Sequence, residues 1–129
     1  MTKPSPAKRP TRPRPAAGEP SLPFLRFYHS PELRAETLRV LDAIEGAGDP
    51  TAHRKALAAV VGKLTESGLE YYFMQPLVTA HAGFVVEQSA RLGLAGANRV
   101  LGPILGSVIG RLDGAQLVAV CGHIRHLMR

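Results

Sequence analysis

The chain has 129 residues, a formal net charge of +6, one cysteine and no tryptophan. That length bounds it to a single domain, and the lone Cys121 excludes an internal disulfide while fitting a reducing, cytoplasmic setting. Ala, Leu, Gly and Arg dominate over β-branched residues, and 45% of the chain is hydrophobic, enough for a real core in an all-α fold.

The charge is uneven. Lys3, Lys8, Arg9, Arg12 and Arg14 against Glu19 alone give residues 1–22 a net charge of +4, which leaves +2 for the other 107 residues. The same stretch holds six prolines and almost no apolar bulk, so it is expected to be a disordered, Pro-rich basic arm with polyproline II bias. Such an arm either solubilises the chain or places Lys8, Arg9, Arg12 and Arg14 against nucleic acid, anionic lipid or an acidic partner. No apolar stretch of secretory-signal length follows its basic start, so no signal peptide is expected. Residues 23–129 then form one bundle domain of four to five helices.

The bundle opens on PFLRFYH, with three aromatics, Phe24, Phe27 and Tyr28, in five positions. It is too apolar to remain in solvent, and is expected to lie across the bundle and cap its core, or to dock into a partner. Ser30-Pro31-Glu32 reads as a helix start, with a hydroxyl N-cap, proline at the first helical position and acid in the first turn. Leu33, Val40, Leu41 and Ile44 share a stripe of that helix, which Gly46 ends. Asp49-Pro50 starts a second helix, with Leu57, Val60, Val61 and Leu64 on one face and an end near Gly68. A third helical stretch is expected over residues 69–92, kinked or broken near Met74 and Gln75 because Pro76 removes a backbone bond, and closed by Gly93. Its spacing puts His81 and Gln88 inside the apolar stripe of Leu77, Phe84 and Val85.

The next stretch, VLGPILGSVIGRLDG, repeats glycine every fourth residue, and residues four apart share a helix face. Gly102, Gly106 and Gly110 therefore form a groove without side chains, opposite large apolar residues such as Leu101, Leu105 and Val108. Each glycine costs roughly 1 kcal/mol against alanine, so close approach by another helix, from the same chain or from a second copy, is the expected offset. The helix starts between Gly96 and Leu101, since Pro103 would otherwise lie well inside it. Asn98 and Arg99 interrupt the apolar run of residues 92–110 short of the roughly 20 residues a spanning helix needs, so no transmembrane segment is expected. Asp113 and Gln116 have the spacing of a capping box ahead of a last helix with Leu117, Val118, Val120, Cys121, Ile124 and Met128 on its core face.

No catalytic, cofactor or metal signature emerges. Cys121 and His123 lie about 200° apart on a helix, so they do not form a nucleophile and base. His123 and His126 are too few for a zinc site. His81 with Gln88 is either a satisfied buried polar network fixing helix register or the lining of a small-ligand pocket. The expected function is a small non-enzymatic interaction or regulatory module that homodimerises through Gly102, Gly106 and Gly110 or through Phe24, Phe27 and Tyr28. The alternatives are non-specific nucleic-acid binding by the arm and a ligand sensor at His81.

Overall fold

The computed structural model describes residues 22–128. Among them there are helices and no strands, as expected for an all-α chain. The elements are α1 (Pro31–Glu45), a 3₁₀ turn (Pro50–His53), α2 (Arg54–Leu69), a π-helical turn (Glu70–Met74), α3 (Gln75–Thr79), α4 (Phe84–Gly110) and α5 (Gly114–Leu127). Because α2, the π turn and α3 are continuous, they form one rod, and the described residues hold four helices.

Local chemistry sets most of the boundaries. Ser30 Oγ accepts from the Leu33 N–H at 3.1 Å, with Pro31 at the first helical position of α1. Asp49 accepts from the Thr51 N–H at 3.1 Å and from its hydroxyl at 2.6 Å; those bonds hold its carboxyl below the usual range. The capping box at α5 is complete: Asp113 accepts from the Gln116 N–H at 2.8 Å, and the Gln116 side chain accepts from the Asp113 N–H at 2.9 Å. Each arrangement satisfies N–H groups that a helix start leaves without partners.

Two expected boundaries shift. The irregularity expected near Met74 and Gln75 is present as a π turn ending at Met74, but Pro76 does not break the helix. That turn widens the backbone, which relieves the clash that proline makes one turn back. The break comes instead at residues 80–83, where His81 has φ 51° and Gly83 has φ 96°. Gly93 is correspondingly no stop. It lies inside α4, which begins at Phe84, runs for 27 residues and contains Pro103.

The core lies at one end of the molecule. Leu41 and Ile44 of α1, Leu57 of α2, Ile109 of α4, and Leu117 and Cys121 of α5 form its buried cluster. Leu38, Val40, Val61, Val120, Ile124 and Met128 pack around it. Thr37, also buried, satisfies its hydroxyl by donating to the Leu33 carbonyl at 2.7 Å. The last-helix stripe is thus realised except at Val118, which is exposed.

Polar ties fasten the helix ends. Arg54 donates to the Leu112 carbonyl, just past α4, through Nε at 3.1 Å and Nη2 at 2.5 Å. Arg34 donates to the Met128 carbonyl at 3.0 Å. Arg125 of α5 pairs with Asp42 at 2.7 Å and Glu45 at 3.0 Å on α1, which raises its already high pKa. Lys63 and Glu36 tie α2 to α1 at 2.7 Å. The carbonyl bonds satisfy acceptors that helix ends would otherwise leave open.

With so few fully buried side chains, each should weigh heavily. Leu57→Ala is expected to lower the free energy of unfolding by about 2–5 kcal/mol, measured by urea denaturation. A loss below about 1 kcal/mol would mean that Leu57 is not core.

Candidate functional site

The site is built on α4. On a helical wheel at about 100° per residue, Leu94, Leu101 and Leu105 point in nearly one direction and are half-buried, with Ile109 close by and buried. The most extensive helix–helix contact in the molecule is between α2 and α4, so this stripe is the one that α2 covers. The remaining surface of α4 divides into two flanks.

Gly102, Gly106 and Gly110 occupy the first flank. A groove between Gly106 and Gly110 on one side and Thr51, Arg54, Lys55 and Ala58 on the other continues the ladder beside the start of α2. A second hollow brings Gly102 and Asn98 near Gly62, Lys63 and Glu66. A Cβ added at any of the three ladder glycines would meet nothing within 4 Å. The ladder therefore does not serve tight packing inside the chain. By contrast, a Cβ added at Gly68 of α2 would lie 3.5 Å from the Phe27 ring, and one added at Gly114 would lie 3.5 Å from Pro50.

The second flank is apolar. Val100, Ile104 and Val108 follow each other at four-residue spacing and are 62%, 51% and 54% exposed, and Val86 continues the line toward the helix start. By length and composition α4 could cross a membrane: an 18-residue window has a mean hydropathy of 1.3, and only 6% of that window is buried. Asn98 and Arg99 interrupt the apolar run without bringing the average below that level.

The aromatic segment ahead of α1 docks on the π turn. Tyr72 Oη donates to the Arg26 carbonyl at 2.6 Å, and the Phe27 ring meets Tyr72 edge-on at 6.3 Å between centroids. Tyr28 meets Tyr71 at 6.0 Å. Phe27 is half-buried, whereas Phe24 and Tyr28 are exposed. The segment caps the middle of the rod rather than the core, and Phe27 is spent within the chain.

His81 and Gln88 do not form the expected network. The helix break puts His81 in the turn before α4, and both residues are exposed, because the apolar stripe of Leu77, Phe84 and Val85 required one continuous helix. Phe84 and Val85 are themselves exposed. Lys8, Arg9, Arg12 and Arg14 lie outside the described residues. Among the described residues, no three of His, Cys, Asp and Glu gather closely enough to hold a metal ion. Arg54, Arg34 and Arg125, the cations that fasten the helix ends, carry no local sequence signal, since their partners are far along the chain.

No family model, no curated protein and no solved structure matches the chain.

Cys121 is buried among α1 and α5 residues. Burial pushes its thiol pKa up, and the nearby Glu45 carboxylate adds to the rise against the opposing Arg125. A thiol kept protonated and covered is a poor nucleophile. The native protein should react with Ellman's reagent at least roughly tenfold more slowly than the urea-unfolded chain; equal rates would show that Cys121 is accessible.

Proposed function

We propose that the protein is a small, non-enzymatic helical interaction module of the cytoplasm that self-associates through the groove between α2 and α4. One observation carries this reading: the space beside Gly102, Gly106 and Gly110 is open although α2 runs alongside. Three glycines inside a helix cost roughly 1 kcal/mol each, and no contact among the described residues offsets that cost. A helix from a second copy does so by bringing its backbone into the groove, as in other close helix pairs built on small residues. Two identical chains meeting this way form an isologous contact, in which each copy supplies the same patch. The dimer is the smallest assembly that closes it. The exposed Tyr28 ring meets Tyr71 of the π turn and the exposed Phe24 ring lies under Arg26, and neither is needed for this contact.

Gly106→Leu tests the reading. A Cβ at this position meets nothing within 4 Å in the single chain and leucine improves helix propensity, so the variant should fold with an unchanged or higher melting temperature. Its mass by light scattering should be that of a monomer, against a dimer for the wild type at the same concentration. A variant that remains dimeric, or a wild type that is monomeric at high micromolar concentration, would contradict it.

A further inference from the structure

The apolar flank of α4 is separate from the glycine groove, and no described residue covers it. It extends over much of a helix about 40 Å long, at 1.5 Å rise per residue. Contiguous apolar surface on this scale marks a contact with something else. α4 is not the core helix of a soluble bundle, since its hydrophobic window is 6% buried. Charge selects the occupant. Arg111 falls on this flank of the wheel and no acidic residue of α4 does, and residues 1–22 carry a net charge of +4. Apolar surface with a cationic excess around it suits anionic lipid headgroups over an acyl layer.

We propose that α4 lies in the plane of an anionic bilayer, with Val86, Val100, Ile104 and Val108 entering the acyl boundary and α1, α2 and α5 held on the water side. The helix does not span. Spanning would bring Arg99, near its middle, into hydrocarbon, and would either take Lys63 and Glu66 of α2 with it or strip α2 from Leu101, Leu105 and Ile109. Lying flat, Arg111, which falls between Val100 and Ile104 on the wheel, reaches the headgroups with its long stem along the apolar surface. This surface works beside the glycine groove: one flank takes lipid, the other takes a second copy.

The test is co-sedimentation of the full chain with vesicles of phosphatidylcholine and phosphatidylglycerol in equal parts, against vesicles of phosphatidylcholine alone. The wild type should sediment with the anionic vesicles and more weakly with the neutral ones. The triple variant Val100→Ser, Ile104→Ser and Val108→Ser, with its fold checked by circular dichroism, should need at least roughly tenfold more lipid for half-binding. Equal binding by that variant would show that the basic arm suffices and would overturn the proposal, as would a wild type that stays in the supernatant. A wild type that fails to sediment while the triple variant changes from dimer to monomer would make this flank a contact between copies, and would overturn it too. Because the chain has no tryptophan, Ile104→Trp supplies a second readout. Its emission should shift to the blue on adding anionic vesicles, and no shift overturns the proposal. Gly106→Leu should still sediment with the anionic vesicles, more weakly only by the avidity a dimer adds, which separates failure of this proposal from failure of the groove dimer.

Discussion

The contact of α2 with α4 is the constraint from which the rest follows. A helix of 27 residues that is apolar on nearly every side needs cover on every side to be a core helix. Among the described residues it has one long neighbour. The α2 rod lies along the Leu94, Leu101 and Leu105 stripe, and α1 and α5 close a core only at the end of α4, around Ile109. What α2 leaves uncovered falls into two flanks of different chemistry: a groove of backbone beside Lys55 and Lys63, and a row of branched aliphatic side chains. Arg54 fixes the arrangement by holding the Leu112 carbonyl just past the end of α4, and Arg125 holds α5 on α1 through Asp42 and Glu45.

The parts of the fold legible in the sequence are those decided within a few residues. Ser30-Pro31-Glu32, Asp49-Pro50 and the Asp113/Gln116 box are local hydrogen-bonding problems with local solutions, so the starts they mark are realised. Leu41, Ile44, Leu57, Val60, Leu117 and Cys121 followed helical spacing into the interior. Where tertiary packing overrides local preference, the sequence misleads. Pro76 is accommodated by a π turn, and Gly93 and Pro103 are carried inside α4, because packing of one face on α2 stabilises a helix more than any single residue's propensity destabilises it. The break at residues 80–83 was hidden because His81 takes a positive φ, a conformation a non-glycine residue seldom adopts.

The candidate site was half legible. Four-residue glycine spacing showed a groove, and nothing local could show whether the chain fills it. That depended on which stripe α2 selects, and α2 selects the leucines next to the glycines. The row of Val100, Ile104 and Val108 was visible as apolar residues but not as surface, since exposure is a property of neighbours absent from the pattern. His81 and Gln88 were misplaced for the opposite reason: the periodicity that grouped them assumed a helix continuous through residues 80–83.

Thiol labelling of Val108→Cys and Ile109→Cys, one residue apart, tests the central claim that α4 is held on one stripe only. In the wild type these side chains are 54% and 6% exposed, and the native Cys121 is buried. At high dilution, in lipid-free buffer, the thiol at position 108 should react close to the rate of a free thiol and that at position 109 at least roughly tenfold more slowly. Slow reaction at both positions would mean that the chain itself covers α4 on every side, and fast reaction at both that α2 does not hold it; either result would contradict the account.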